Sequence, residues 1–459
     1  MKSDVKSRES VVLLVDDRIR DLDAATLIAH HLRRLGVECH LEPLEAFRAV
    51  LAAYRPGMII FNHLNGSHLV EWSKRLADMG VLTAVLLNEG FVYDPEELQY
   101  ISGRYHSDGH IDYFFCWNEL HRDAIIAGGG HPEARVEVIG VPRFDFYFEP
   151  WSRFVYRPRA EKPLRPRVLF CTNFVTADFL NFPREIGDRF FAPWVGKIAL
   201  FDNYWRSVEA HDKGRKRAFD FLDALVAAGR YEIILRPHPR ESSKIYKDWV
   251  ESLPLGRRRS VTLDKSSNIT KLILDSDIEI SCETCTTAIE SWIAGKPTIE
   301  LELERDPLWY REQHAVANIP CGNPASLPDL VDQQLKNPEQ SEKREIRRHH
   351  LQKWCNSPDG HASERLAAIV ASAMSCKRRA DWSRLTANDY RRALKLRTAR
   401  LLGQAYHYDP FAPLKSLLPL RQGHYAGRRA VYEKSIKPQD VVETRRRLEC
   451  VLADWSDRK

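Results

Sequence analysis

The sequence has no apolar run near the roughly 20 residues that a helix needs to cross a bilayer. Its first ten residues, MKSDVKSRES, are polar, so they do not contain the apolar core of a secretory signal. These two absences argue against a membrane-spanning chain and predict a cytoplasmic location. The chain also shows no internal repeat and no low-complexity segment.

Two motifs of cofactor and metal proteins are missing as well. The fingerprint G-x-G-x-x-G does not follow the first predicted strand, which argues against an NAD enzyme. Among nine cysteines there is one C-x-x-C, formed by Cys282 and Cys285, and a zinc site would need distant ligands. We therefore expect no metal. A redox pair or half of a zinc site stays open beside the simplest interpretation, two small residues buried in a reducing compartment.

Apolar strands and amphipathic helices alternate in two separate stretches of the chain. VVLLVDD opens the first stretch and VLFCTNF opens the second, with a proline- and arginine-rich connector at Tyr156–Arg167 between them. This alternation is typical of parallel, doubly wound sheets. We predict an α/β fold with two Rossmann-like domains facing a cleft, at residues 1–155 and 165–340, and a mainly helical basic segment at 341–459.

Positive charge is concentrated in the C-terminal part of the sequence. The net charge of the whole chain is +6, but Cys376–Lys459 contains 20 Lys and Arg against 9 Asp and Glu. This asymmetry has two interpretations. The segment binds an anionic partner, either a membrane surface or nucleic acid, or its charges lie on helix faces exposed to solvent.

The stretch around the C-x-x-C, SCETCTTAIESWIAGKP, connects a predicted strand to a predicted helix. Thr287 and Glu290 fit a capping box, which would mark the helix start. A helix N-terminus at the carboxyl end of a parallel strand presents backbone N–H groups to anions. The hydroxyls of Thr284, Thr286 and Thr287 could donate to the same phosphate. Thr287 and Glu290 could equally serve only as a cap.

A second loop, RPHPRE at Arg236–Glu241, also follows a predicted strand. Its two prolines restrict the backbone around His238. The guanidinium of Arg236 and the imidazole of His238, beside a helix N-terminus, would form a compact anion site. The alternative is an ordinary proline-rich loop with a surface histidine.

Two further loops supply candidate residues. Thr172 and Asn173, in CTNF, end the first strand of the second half and either contact a ligand or close a turn. Glu89, in LLNEGFVYDP, follows a strand of the first half, and Gly90 permits close backbone approach. Glu89 is a candidate general base, a carboxylate that stabilises positive charge on a reacting sugar, or a turn residue.

Five motifs together resemble the bacterial surface carbohydrate biosynthesis protein family, whose members resemble GT-B glycosyltransferases. In order, they are NEG at Asn88–Gly90, GVPRFD at Gly140–Asp145, TNF at Thr172–Phe174, RPHPRE at Arg236–Glu241 and CTTAIESWIAGKP at Cys285–Pro297. The H-P loop with a hydroxyl-rich helix start is also similar to capsule-type Kdo transferases and, more loosely, to sialyltransferases and glycerophosphotransferases. The basic segment after Cys376 has no counterpart in this resemblance.

The resemblance implies that the second domain binds a nucleotide-sugar donor and the first holds the acceptor glycan. In the Kdo-type relatives the donor is a CMP-activated ulosonic acid. By analogy, His238 and the loop Cys285–Thr287 hold the donor phosphate and Glu290 contacts the ribose. Arg236 stabilises the departing phosphate, and Asn173 lines the donor site.

We therefore expect a glycosyltransferase that moves a sugar, CMP-linked Kdo being favoured, onto a surface polysaccharide such as capsule or O-antigen. The expected catalytic residues are Glu89, Asp94 and His238. No cofactor is expected beyond the donor substrate. The expected partners are a glycan or lipid-linked acceptor and, through the basic segment, the inner face of an anionic membrane, but no nucleic acid. A GT-B-type sugar-nucleotide epimerase and a non-catalytic scaffold remain as alternatives.

Overall fold

The computed structural model describes residues 9–64, 67–87, 97–100, 109–128, 136–158, 164–337, 341–406 and 434–456. The chain divides into two compact units. The first unit contains residues 1–90, 101–154 and 358–459, and the second contains residues 91–100 and 155–357.

The first unit is built on a six-stranded parallel sheet. Its strands are β1 (Val11–Val15), β2 (Cys39–Pro43), β3 (Met58–Phe61), β4 (Leu82–Leu86), β5 (Tyr113–Cys116) and β6 (Val136–Val138). They lie in the order β2-β1-β3-β4-β5-β6. The helices are α1 (Leu22–Arg34), α2 (Ala49–Tyr54), α3 (Ser67–Asp78) and α4 (Glu119–Ala127), followed by α5 (Ser152–Val155) at the boundary between the units.

The second unit repeats this architecture. Its strands are β7 (Arg167–Cys171), β8 (Glu232–Arg236), β9 (Val261–Leu263), β10 (Ile278–Ser281), β11 (Thr298–Leu301) and β12 (Ile319–Cys321), in the parallel order β12-β11-β10-β7-β8-β9. The helices are α6 (Arg184–Phe191), α7 (Trp205–Ala228), α8 (Ser243–Ser252), α9 (Leu255–Arg258), α10 (Ile269–Leu274), α11 (Thr286–Ile293), α12 (Glu312–Ala315), α13 (Leu327–Lys336) and α14 (Ser341–Cys355).

The composition of the strands explains the doubly wound arrangement. Every residue of β1, VVLLV, is buried, because helices cover both faces of a parallel sheet. Val12 and Leu14 pack into one apolar core, while Val11, Leu13 and Val15 pack into another, as the two-residue period of a strand requires. The prediction of an α/β chain with two such domains is confirmed.

The C-terminal segment predicted at 341–459 is mainly helical, and its helices are divided between the two units. Helix α14 belongs to the second unit, whereas α15 (Ala362–Cys376), α16 (Ala387–Leu401) and α17 (Pro438–Ser456) belong to the first. Asp145 accepts hydrogen bonds from the N–H groups of Ala362 and Ser363 at the start of α15, at 3.0 and 2.8 Å. Leu366 of α15 and Val441 of α17 pack into one apolar core of the first unit and Leu396 of α16 packs into the other, so all three helices belong to this unit.

Across the described ranges, every helix is either too short or too polar to span a bilayer.

Candidate functional site

Three neighbouring strands of the second sheet end at the same level. Ser281 of β10 pairs with Cys171 of β7, and Cys171 pairs with Arg236 of β8. The loops that follow these strands therefore start side by side at the carboxyl edge, where open α/β sheets bind ligands. All three loops contain residues that the sequence predicts to contact a donor.

The loop after β8 is fixed by the buried carboxylate of Glu241. Its Oε1 accepts hydrogen bonds from the hydroxyl of Thr172 at 2.7 Å and from the backbone N–H of His238 at 3.1 Å. Its Oε2 accepts from the hydroxyl of Tyr246, and the ammonium of Lys265 donates to its backbone carbonyl. One carboxylate thus joins the loops after β7 and β8 and sets the backbone conformation at His238.

His238 is a neutral hydrogen-bond donor in this arrangement. Its Nδ1 accepts from the backbone N–H of Arg240 at 3.2 Å, so the proton of the neutral ring is on Nε2. Burial, followed by the positive charges of Arg240, Arg236 and Lys265, lowers the pKa of His238 to about 3. The Nε2–H group can therefore donate to an anion at neutral pH without adding a full positive charge.

The positive charge of this edge comes from Arg236 and its neighbours. Arg236 is buried, and its Nη1 donates to the backbone carbonyl of Asp264 at 3.1 Å. Burial lowers the pKa of Arg236 below its usual value, but a guanidinium stays protonated at any physiological pH. An oxyanion at this edge would meet a charged guanidinium and a neutral imidazole N–H together.

Helix α11 begins at Thr286, and its N-cap residue makes no geometrically standard capping hydrogen bond with its side chain. The N-cap residue is Cys285, in an extended conformation. The predicted capping box of Thr287 and Glu290 is therefore wrong, because the helix begins before Thr287. The hydroxyl of Thr287 donates instead to Oε1 of Glu279 at 2.8 Å. The first backbone N–H groups of an α-helix have no carbonyl acceptor in a preceding turn, and such groups bind anions.

The turn that leads into α11 has an uncommon backbone conformation. Glu283 and Thr284 have φ of 56° and 47°, in the left-handed region that a β-branched residue rarely adopts. The N–H of Thr284 donates to Oε1 of Glu300 at 2.8 Å, and its hydroxyl donates to the carbonyl of Trp309 at 3.2 Å. Nδ2 of Asn173 donates to the carbonyl of Glu283 at 3.3 Å. Strain of this kind persists where the surroundings determine the conformation, and it is common at ligand sites.

Carboxyl groups are buried in the sheet beneath this turn. Burial raises the pKa of Glu279, on β10, and of Glu300, on β11, to about 8. Oε2 of Glu300 accepts from the side-chain amide of Asn318 at 2.9 Å. Burial, and then the nearby Asp306 carboxylate, raises the pKa of Glu283 well above its usual value. At neutral pH these carboxyls are largely protonated, so they support the turn without adding charge that would repel a phosphate.

The sequence interpretation missed the three acidic residues that shape the site, Glu241, Glu279 and Glu300. A signal for two of them was available, since DIEIS and TIELEL place acidic residues inside otherwise apolar strands. A carboxyl buried in a parallel sheet needs a polar partner, and that partner is the following turn.

Six of the predicted donor-site residues lie at one edge of the second sheet. At the carboxyl edge of the second sheet the structure brings together Asn173, Arg236, His238, Cys285, Thr286 and Thr287. Thr286 is exposed, Thr287 is half-buried, and Glu290 is buried on α11. The two predicted catalytic carboxylates, Glu89 and Asp94, lie outside the described residues.

Cys282 and Cys285 are buried free thiols. Burial raises the pKa of Cys285 to about 12 and that of Cys282 well above its usual value. A protonated thiol is a poor nucleophile and a poor metal ligand. Within the described ranges, no three or more His, Cys, Asp or Glu side chains are grouped so as to hold a metal ion. These observations favour the interpretation of the C-x-x-C as two small buried residues.

Comparison with known proteins gives similarity in structure only. No protein-family model and no curated protein matches the chain. The structure of MnaA from S. aureus with UDP has a TM-score of 0.50, with 12% identity over 80% of this chain and 97% of that chain. The fold is GT-B-like. At 12% identity the match establishes the fold and leaves the chemistry open.

Two further structures are similar at lower TM-scores. The wall teichoic acid polymerase TagF, soaked with CDP-glycerol, has a TM-score of 0.48 and 12% identity over 80% of this chain and 89% of that chain. The UDP-GlcNAc 2-epimerase of Methanocaldococcus jannaschii, in complex with UDP-GlcNAc and UDP, has a TM-score of 0.45 and 13% identity over 79% and 99%.

Proposed function

We propose that the chain is a glycosyltransferase that uses a nucleotide-sugar donor to build a surface polysaccharide. The observation that carries this proposal is the row of paired residues Ser281, Cys171 and Arg236, which brings the loop of Arg236 and His238 to the same sheet edge as the start of α11. A guanidinium, an imidazole N–H and the backbone N–H groups of a helix start are donors that suit a phosphate.

In the proposed reaction the second unit holds the donor and stabilises its departing phosphate. Arg236 would balance the charge that develops on the leaving oxygen, and Nε2–H of His238 would donate to the same group. The backbone N–H groups of Thr286 and Thr287 would complete the contacts, and Glu290 would contact the ribose. Because these donors are fixed by Glu241 and by the turn, little reorganisation would be needed during transfer.

The acceptor side of the proposed reaction uses two carboxylates of the stretch LLNEGFVYDP. Glu89 is the candidate base for the acceptor hydroxyl, and Asp94 is the second candidate on the same loop. The acceptor itself would be a glycan or a lipid-linked glycan.

The favoured donor is a CMP-activated ulosonic acid such as Kdo, because the H-P loop resembles that of the Kdo-type transferases. A thermal-shift screen with CMP, CDP, UDP, GDP and their sugars tests this preference, since a ligand that binds the native state raises the Tm. A shift with CMP and CMP-sugars supports the donor assignment. A Tm shift with UDP and none with CMP would replace the CMP donor by a UDP donor and would leave the proposed phosphate site unchanged.

Incubation with the donor alone separates the transferase from an epimerase of the same fold. An epimerase converts its nucleotide sugar without an acceptor, whereas a transferase leaves most of it unchanged. A chain that binds no nucleotide sugar at all would favour the non-catalytic scaffold.

A further inference from the structure

Helix α16 has a buried face that fixes it to the first unit. Asp389, Ala393 and Leu396 are buried on this face. Leu396 joins one of the two apolar cores of the first unit, and Arg75 contacts Oδ2 of Asp389 at 2.5 Å. The helix is therefore a fixed part of the first unit, and its other faces are presented by a rigid support.

A second apolar stripe lies on the outer surface of α16. Tyr390, Leu394 and Leu401 are 49%, 65% and 88% exposed. Their spacing of four and seven residues places them on one face of a helix, away from the buried positions. Leu402, which follows the last residue of the helix, is also 65% exposed. Isolated exposed leucines are ordinary, but an aligned series on one rigid helix marks an interaction surface.

Cations border this stripe on both sides. At 3.6 residues per turn, Arg397 lies along one edge, and Arg391 and Lys395 lie along the other. All three are exposed. Nη2 of Arg397 donates to the carbonyl of Ala53 at 3.2 Å, and Lys395 Nζ lies 4.6 Å from the centre of the Tyr406 ring, so the stems are ordered at the surface. From residue 377 to residue 406 the sequence has nine Lys and Arg against two Asp.

We propose that α16 docks the chain on an anionic lipid bilayer. Tyr390, Leu394 and Leu401 enter the boundary between headgroups and acyl chains, and Arg391, Lys395 and Arg397 contact lipid phosphates. An apolar stripe between two rows of cations is the pattern of helices that lie in the plane of a membrane surface. The docking surface lies on α16 and contains none of the residues proposed to bind the donor.

The same surface fits other partners less well. Nucleic acid offers phosphates to the cations but no aliphatic environment for Leu394 and Leu401. A second copy of the chain, paired through the same helix, would bring like charges together around the stripe. A bilayer that contains acidic lipids satisfies both the charge and the apolar surface.

Co-sedimentation of the full chain with vesicles tests the proposal. We expect binding to phosphatidylcholine mixed with phosphatidylglycerol, weak binding to phosphatidylcholine alone, and loss of binding as salt is raised. The double variant Leu394→Ser, Leu401→Ser should bind the mixed vesicles at least about tenfold more weakly. Arg391→Gln with Lys395→Gln should weaken binding about fivefold for each charge removed.

A matched control uses two other exposed apolar residues. Leu255 and Val442 are 76% and 67% exposed, and the variant Leu255→Ser, Val442→Ser should bind like the wild type. Circular dichroism and Tm should confirm that every variant is folded. Nucleotide binding should be unchanged in all of them, so a failure of membrane docking and a failure of the donor site give different results.

Several outcomes would overturn the inference. These are equal binding to both kinds of vesicle, binding to neither, or full binding by the Leu394→Ser, Leu401→Ser variant. A wild-type dimer or DNA complex that this variant loses would assign the stripe to that partner instead.

Discussion

The hydroxyl of Thr287 donates to Oε1 of Glu279 at 2.8 Å and joins the first turn of α11 to the strand beneath it. Burial raises the pKa of Glu279 from 4.5 to about 8. At a pH between these two pKa values, Glu279 is protonated in the native chain, whereas in the unfolded chain it has released its proton. The stabilising contribution of Glu279 is therefore complete below the unfolded pKa and is lost as the pH rises towards 8.

The variant Glu279→Gln should remove this pH dependence. As the pH is raised from about 5 to about 8.5, the free energy of unfolding of the wild type should fall relative to that of E279Q, by at most about 1.4 kcal/mol per pH unit. Thermal melts over a pH series measure the difference. Glu251→Gln, at an exposed position, is the control, and its free energy of unfolding should follow that of the wild type across the pH series. Parallel curves for E279Q as well would mean that Glu279 ionises normally in the native chain.

Substitutions of His238 should distinguish the roles of its two ring nitrogens. Nδ1 accepts from the backbone, whereas Nε2–H is the proposed phosphate donor. His238→Asn keeps an acceptor near the Nδ1 position and should weaken nucleotide binding by about 10- to 100-fold, the effect of losing a hydrogen bond to a charged group. His238→Gln places an N–H group near the Nε2 position and should recover part of the affinity. Calorimetry provides the dissociation constants.

The control for this series is His349→Ala, at an exposed position of α14. It should bind nucleotide like the wild type. If His238→Asn and His238→Ala also bind with unchanged affinity while remaining folded, His238 does not contact the donor.

The thiols should react according to their burial. Cys376 and Cys450 are exposed, whereas the other seven cysteines are buried. A thiol reagent followed by mass spectrometry should label Cys376 and Cys450 first and should leave Cys282 and Cys285 unmodified until the chain unfolds. The double variant Cys282→Ala, Cys285→Ala should retain nucleotide binding. Rapid labelling of the C-x-x-C, or loss of binding in the double variant, would restore the redox or metal interpretation.

The C-terminal helices should be needed for the stability of the first unit. Asp389→Ala leaves Arg75 without its carboxylate and removes the capping box of α16, and we expect a loss of about 3 kcal/mol in the free energy of unfolding. Asp381→Ala, which removes the cap of an exposed turn, should cost much less than Asp389→Ala. Urea melts of both variants test the difference. Equal stability of the two would show that α16 is only loosely attached.

The fold could be predicted because its signals are local. Fully apolar strands such as VVLLV, alternating with amphipathic helices, specify a parallel sheet with both faces covered. The loops that carry Asn173, His238 and Thr286 could also be placed, since each follows such a strand. The sequence does not contain the strand order, and only that order shows that the three loops are neighbours.

The partners of the supporting acids and the packing of the C-terminal helices could not be predicted, because they depend on how separate elements pack together. Glu300 supports Thr284 from the next strand, and Arg75 meets Asp389 across 314 residues. The capping box failed because Thr287 has a buried acceptor on β10, the strand that leads into α11. Its hydroxyl donates to Glu279 and does not serve the helix end.

Calorimetric titration of the wild type and of Arg236→Gln with CMP, CDP and UDP tests the donor site most directly. We predict saturable binding of at least one nucleotide by the wild type, and at least about tenfold weaker binding by the folded variant. Arg236→Lys should be intermediate, because it retains the charge without the planar fork. A wild type that binds none of these nucleotides, or an Arg236→Gln variant that binds as tightly as the wild type, would contradict the assignment.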